Sequence, residues 1–517
     1  LTYSGASLSL GANTLTLTGS GTFVSGGLDL DNANSKLLLS SITVDNVSTS
    51  IDNSLGLDVD NNSTVSSLSV AHMTPVSIAS GKTLSGVITV TAGSLQLDET
   101  GTLASTISMS GGTMDADNSS TVSGALTQAG NITIDVAEEQ TLTYSGASLS
   151  LGANTLTLSG GGTLVSGGLD LDNANSKLLL NSITVDNVSI SADSLGLDVD
   201  NDSTIETFLP YNSSIIDIAE DKSLTLTDAF EVLEEQTMEL KGTGGGTLNV
   251  GDNMTISGTL KLNAENDIID GGTLIFNNGF LDLDESATIS SEILLADNAS
   301  MDIASDKQLV VSKSFEIPEN LKLEMVAAGG GTLSLGNTLK LTGELQFSAP
   351  YTLENGTLEL SKDGLLDVDY NTIIASNILV SDNSSIDIAQ GITLTYSGES
   401  IDISNYQLTL LGSGTLSNTY SVLLSNTDSL LVLADDITIA LIEVTGNSAS
   451  GMGIRVESED AVVNTLNLAA ELVLTFTDDS YELDVRELNV NSAAQLTGEG
   501  EDGLLLVTNL LQEDESY

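Results

Sequence analysis

No cysteine occurs anywhere in the chain, which excludes disulfide cross-links and thiolate metal centres. Tryptophan is also absent and aromatic residues make up 3% of the chain. A sandwich domain of the immunoglobulin type normally buries Trp or Tyr between its sheets, so a string of such domains is disfavoured. Only four prolines occur (Pro75, Pro210, Pro318 and Pro350), so few ladder hydrogen bonds are interrupted. Cationic side chains are scarce: 13 Lys and Arg face 72 Asp and Glu, a net charge of −59. That balance makes nucleic acid and anionic membrane surfaces poor partners and favours cations and cationic surfaces. No apolar run approaches the roughly 18 residues of a membrane-spanning helix. The single histidine, His72 in VAHMTP, has no recognisable nucleophile partner and reads as an ordinary loop residue. An initiator Met, a signal peptide and a sorting tail are missing too, so the chain is expected to be a processed product or a segment of something longer.

What is present is alternation. Runs such as SLSL, TLTLT, LDLD, ITVD, LDVD and TLEL place Leu, Val and Ile in one phase. Thr, Ser, Asp and Asn fill the other phase, which is the pattern of short half-buried strands. Gly, Asn, Asp and Ser punctuate the runs and supply turns. No stretch reads as a helix.

The alternation is organised by repetition. Residues 1–39 return at 142–180 with three substitutions, Thr18 to Ser159, Ser20 to Gly161 and Phe23 to Leu164. A weaker copy, LTYSGESIDISNYQLTLLGSGTLSN, begins at Leu394. Two markers set a longer period. Gly-Thr before Leu or Phe recurs at Gly21, Gly101, Gly162, Gly246, Gly331 and Gly414, at intervals of 80, 61, 84, 85 and 83 residues. Ile or Val before Ala recurs with Ala79, Ala137, Ala219, Ala304 and Ala389, at intervals of 58, 82, 85 and 85. Both markers show one short module, smaller than its neighbours by roughly one coil of about 20 residues. A stacked solenoid can lose a coil because each coil touches only its neighbours, whereas a closed sandwich cannot lose a quarter of its strands.

The expected fold is therefore all-β: an elongated, right-handed parallel β-helix or β-solenoid, with coils of about 20 residues in modules of about 85. Roughly 25 coils stacked at about 4.8 Å would form a rod on the order of 120 Å long. Residues 1–430 read as the repetitive stack. Residues 431–517, which hold Arg455 and Arg486 and end in QEDESY, read as diverged coils, a cap or a docking region.

The strongest local candidates for chemistry are Asp-x-Asp pairs: Asp29 and Asp31, Asp58 and Asp60, Asp115 and Asp117, Asp170 and Asp172. The series continues with Asp198 and Asp200, Asp282 and Asp284, and Asp367 and Asp369. Alternation puts both carboxylates of a pair on the outer face, about 7 Å apart along the strand. Carboxylates with Asn and carbonyl oxygens suit Ca²⁺, so these Asp residues (Asp115 and Asp117 less so) are calcium candidates. No cofactor is required by anything in the sequence. The competing reading is a solvated outer face that discourages edge aggregation. A glycosidase needs two carboxylates flanking a sugar, but acidic pairs occur everywhere and single out no site. A lyase for uronic acids would want clustered cations, and these are scattered. Asn-x-Ser/Thr sequons occur at Asn46, Asn62, Asn118, Asn131, Asn187, Asn212, Asn253, Asn298, Asn355 and Asn383. Each would be an exposed glycan acceptor in a host that modifies surface proteins. Rows of Thr that could order water are interleaved irregularly with Ser and Asp.

In texture the chain resembles the repetitive β-solenoid regions of microbial surface proteins: autotransporter passengers, filamentous-haemagglutinin-like adhesins and repeat-rich exoproteins. The resemblance rests on the Leu/Ser/Thr/Asn/Gly alternation with its Gly-Thr-Leu and Asp-Ile-Ala markers and covers nearly the whole chain. It implies a non-enzymatic rod or fibre, extracellular or at the cell surface. The expected partners are other copies of the chain, end to end, or other surface-layer components, with no nucleic acid and no membrane span. The alternatives are a stalk or binding segment of a larger adhesin and, further off, a carbohydrate-active β-helix.

Overall fold

The computed structural model describes residues 1–326, 330–492 and 494–512, and these fold as a parallel β-solenoid of about 24 coils with no helix. The chain divides into two compact units, Leu1–Met254 and Thr255–Tyr517. Each is built the same way, because strands of alternating polarity can bury one phase only if the chain winds round and closes on it.

In the first unit a coil carries one strand on a first face and one longer, or two shorter, strands on a second face. Lys36–Ser40, Gly56–Asn61 and Thr74–Ile78 lie on the first face; Thr43–Thr49, Ser63–Val70 and Thr83–Val90 lie on the second. A third face, present already in the first unit with Phe230–Val232, runs through much of the second unit, where the second strand is shorter. There it is formed by Thr273–Phe276 with Glu292–Leu295, and by Phe315–Ile317 through Thr338–Leu341 and Thr357–Leu360 to Asn377–Val380. The named pairings are parallel and join one coil to the next.

Register keeps each phase in place. Leu37 pairs with Leu57 and Leu57 with Val76, and all three are buried. In the second unit Leu345, Leu366, Ile386, Leu410, Leu433, Val456 and Phe476 form one unbroken buried column. The column passes residue 430 with no change of register, and the coils beyond it stack like those before. Coil length is elastic: Lys177 meets Gly196 after 19 residues, whereas Ile132 meets Leu156 after 24. Part of the difference falls within the strands, where the register slips by one residue between Leu180 and Asn181, so that Asn181 meets Asn201.

The short module is one coil shorter. Val76 connects through Leu97 and Ala116 to Val136 in three steps. Ile134 connects through Leu158, Leu180 and Val199 to Ile218 in four.

The two sequence markers meet in space. After each Ile/Val-Ala the chain turns back on itself. Lys82 donates its N–H to the Ala79 carbonyl, Lys307 to Ala304 and Ile392 to Ala389. The residue before the donor (Gly81, Asp306 or Gly391) has positive φ. The Gly of Gly-Thr in the next coil then lies flat on the residue preceding the alanine. A Cβ on Gly101 would come within 2.4 Å of the Ile78 side chain, and one on Gly414 within 2.4 Å of Ile388. The neighbouring Thr N–H closes the corner, Thr102 bonding Lys82 and Thr415 bonding Ile392. A Gly414→Ala substitution is thus expected to cost about 1–3 kcal/mol by overpacking a corner walled by backbone, read as a lowered midpoint in urea.

Two buried tyrosines sit where their polar tips are used. The Tyr144 hydroxyl accepts the Leu126 N–H and the Tyr396 hydroxyl the Ile378 N–H, each at 3.2 Å, one coil back. Both belong to the repeated LTYSG.

Candidate functional site

The outward phase is where side chains remain available, and the stacked register turns each outward position into a ladder with rungs one strand spacing, about 4.8 Å, apart. Side chains at that spacing shield one another, so most outward positions are half-buried.

The Asp-x-Asp residues occupy these ladders in three kinds of setting. Asp29 accepts the hydroxyls of Ser48 (3.2 Å) and Ser50 (2.5 Å) from the following coil. Asp31 accepts from the Ser9 hydroxyl and, at 2.9 Å, from the Gly11 N–H. The second copy repeats this: Asp170 with Ser189 (3.1 Å) and Ser191 (2.7 Å), Asp172 with Ser150 and the Gly152 N–H (2.9 Å). In the second setting a lysine one coil back forms an ion pair. Lys36 reaches Asp58 and Lys177 reaches Asp198, both at 2.5 Å, while Asp60 and Asp200 stand exposed. Lys261 bridges Asp282 (3.0 Å) and Asp284 (2.5 Å). In the third, a glutamine amide takes the place of the lysine. Gln346 donates to Asp367 (3.0 Å) and Asp369 (2.9 Å), and Gln96 donates to Asp115 (3.2 Å), beside the exposed Asp117.

Most of the sequence-derived carboxylates are therefore already held by hydroxyls, amides or ammonium groups of this chain. Among the described residues no group of three or more His, Asp or Glu is gathered closely enough to hold a metal ion.

The ladders do bring like charges together. On the first face Asp198 pairs in register with Asp217, Asp282 with Asp302, Asp367 with Asp387, and Asp115 with Asp135. Burial, and then neighbouring carboxylates, push the carboxyls of Asp98, Asp217, Asp302 and Asp387 above their ordinary range. For Asp302 the Tyr351 hydroxyl at 3.1 Å works the other way. Burial also raises Asp115, against the pull of the Gln96 amide. Asp367, half-buried with Asp369, Asp387 and Glu344 around it, is pushed up to about 6. The hydroxyl- and N–H-bonded Asp31 lies below the ordinary range, the Ser9 hydroxyl being the main cause.

Lys261 is the counter-charge, held in its protonated form by the hydrogen bonds it donates to Asp284 and then to Asp282. Its charge also draws down the Asp302 carboxyl. Lys261→Gln is expected to lower stability at pH 7.5 by about 0.5–1 kcal/mol, the scale of a largely solvated ion pair. The same substitution pushes Asp302 further up, an effect read by NMR titration of its carboxyl carbon.

His72 lies at a corner, its Nδ1 3.2 Å from Asp52, which also accepts the Met73 N–H. This is a corner contact at the surface. The acidic residues 513–517 of the tail lie outside the described residues.

Sequence reasoning missed the partners: Lys36, Lys177, Lys261, Gln346, Gln96 and the serines. Their signal was there in the spacing, since each stands one coil from its carboxylate. It becomes readable only once the coil lengths are known.

Comparison with known proteins gives no match: no family model, no curated protein and no solved structure is similar to this chain.

Proposed function

We propose that this protein is a structural β-solenoid of the extracellular space or cell surface, forming a rod or fibre and carrying no catalytic activity. The observation that carries this reading is the unbroken aliphatic column inside each unit. A sequence that keeps Leu, Val and Ile in one phase through coil after coil is organised to propagate a stack. The outward ladders support it as well. Several of their charged groups brace one coil against the next, and the same pair types recur rather than converging on one place.

End-to-end association with a second copy belongs to this reading. The strand Leu504–Gln512 pairs with Glu482–Val490 and carries apolar residues in both phases. Its Val507 and Leu510 lie in register with the buried Val485 and the buried Leu488 yet are exposed, as are Leu504, Leu506 and Leu511. Such an apolar strand edge pairs readily with another strand, whether of a further coil or of a second copy. The second reading, a stalk or binding segment of a larger adhesin, rests on the same columns and differs in leaving the isolated chain monomeric.

Electron microscopy of the purified chain separates the two: filaments are expected for the fibre, and dispersed single particles would favour the stalk. Release of oligosaccharides from acidic or neutral polysaccharides would overturn the non-enzymatic reading. Calcium enters as a counter-ion to the ladders rather than a required cofactor, because a chain of net charge −59 is strained by self-repulsion. Millimolar Ca²⁺ at low ionic strength is expected to raise the melting temperature, and a chelator to reverse the rise. An unchanged melting temperature would remove calcium from the proposal.

A further inference from the structure

The sequons are the one sequence motif that the structural reading leaves unused, and the fold sets six of the ten in two contrasting classes by what the Asn side chain is doing. At Asn62, Asn131, Asn298 and Asn383 the side-chain oxygen braces the next coil. Oδ1 of Asn62 accepts the Thr83 N–H at 3.0 Å and that of Asn131 the Thr155 N–H at 2.9 Å. Oδ1 of Asn298 accepts the Lys322 N–H at 2.8 Å and that of Asn383 the Gln407 N–H at 2.9 Å. All four residues are exposed.

The hydrogen bond fixes the amide's orientation while leaving its nitrogen uncommitted, for among the described residues none of these four Nδ2 atoms donates to a protein group. The rest of each sequon is presented in the same way. The middle residue (Ser63, Ile132, Ala299 or Ser384) is buried in the inward phase. The hydroxyl residue two places on (Thr64, Thr133, Ser300 or Ser385) stands in the outward phase with the Asn, as strand geometry requires for positions i and i+2.

Asn118 and Asn212 are the opposite case. Their Nδ2 atoms donate, each at 2.5 Å, to the carbonyls of Asp98 and Ser191 in the preceding coil. The hydroxyl residues of these sequons, Ser120 and Ser214, point inward and are buried. Here the nitrogen is spent and the hydroxyl is out of reach.

We propose that Asn62, Asn131, Asn298 and Asn383 are acceptor sites for N-linked glycosylation of the folded solenoid, and that Asn118 and Asn212 are not. The donor is a sugar activated as a nucleotide or lipid pyrophosphate. Nδ2 forms a bond to the anomeric carbon, the bond from that carbon to the pyrophosphate oxygen breaks, the pyrophosphate leaves with the bonding pair, and one amide proton passes to a base of the transferase. The oxygen keeps its hydrogen bond throughout, so a glycan can be added without loosening the corner that displays it. In the second unit Asn298 and Asn383 precede first-face strands at corresponding corners, Ala299–Ile303 and Ser384–Ile388.

The test uses the purified, folded full chain with UDP-glucose and a soluble N-glycosyltransferase that recognises Asn-x-Ser/Thr, read by site-resolved mass spectrometry. The expected result is a mass increase of one hexose at each of the four proposed sites, with none at Asn118 or Asn212. After unfolding in urea and dilution into the reaction, those two gain hexose as well. Thr133→Ala abolishes the addition at Asn131 alone, and the melting temperature stays at that of the unsubstituted chain. Absence of hexose from the four sites in the folded chain overturns the proposal. So does addition at Asn118 and Asn212 as rapid as at Asn131.

Discussion

Replacing Leu180 by alanine is expected to lower the unfolding free energy by about 2–5 kcal/mol. Leu180 is fully buried in the inward column, with Leu158 below it and Val199 above. Those neighbours are held at the strand spacing by ladder hydrogen bonds, so they cannot sink into the space that the side chain leaves. The cavity therefore persists, which places the loss toward the upper part of that range. Leu294 is the control, because it is just as apolar but lies in the outward phase and is half exposed. Leu294→Ala is expected to stay within about 0.5 kcal/mol of the parent. Urea denaturation compares the two. Hydrogen exchange then locates the damage: amides of Thr155–Ser159 and Gly196–Asn201 lose protection, while those of Lys36–Ser40, several coils away, keep it. Equal losses for the two variants would mean that the inward phase is not the core.

Stability should rise as pH falls from 7.5 to about 4.5, the reverse of what a salt-bridged carboxylate would produce. Asp367 titrates at about 6 in the folded chain because it is half-buried among Asp369, Asp387 and Glu344. Between the ordinary carboxylate range and that value the folded chain holds a proton that the unfolded chain has released, so acidification favours folding. Asp387, Asp302, Asp217, Asp115 and Asp98 are shifted in the same direction, burial being the leading cause for each.

For Asp367 the contribution is about 1 kcal/mol once screening of a partly exposed group is allowed for. Asp367→Asn, which removes that charge at every pH, is expected to raise stability at pH 7.5 by a similar amount and to flatten the pH dependence. Below the ordinary carboxylate range the trend turns over. Asp31, Asp52 and Asp478 are held low mainly by hydrogen bonds, and what they contribute is lost as they protonate. Thermal melts across pH 3 to 8 check both limbs. A melting temperature that falls steadily from pH 7.5 downward would mean that the ladders are not under like-charge strain.

Much of the fold was legible because its main determinants are local and periodic. Period-2 alternation specifies strands whatever they pair with, and the intervals between Gly-Thr and Ile/Val-Ala set the module. The short interval even exposed the missing coil between Val76 and Val136. The partners of the charged side chains were not legible in the same way. Lys36 and Asp58 lie 22 residues apart in sequence and 2.5 Å apart in space. With coils varying from 19 to 24 residues, no single spacing predicts such contacts. Asp58 accordingly meets a lysine, Asp115 a glutamine and Asp29 two serines, although all three stand in similar Asp-x-Asp pairs.

The sequence by itself determined that this protein is a parallel β-solenoid and which phase of each strand turns inward, since a one-residue slip would expose the whole aliphatic set. Tertiary structure alone decided which outward side chains face one another, which coils carry a third face, and which sequon nitrogens are free. Those properties depend on corner geometry and on the length of each coil. Both are set by contacts with the coils on either side, which no local pattern records.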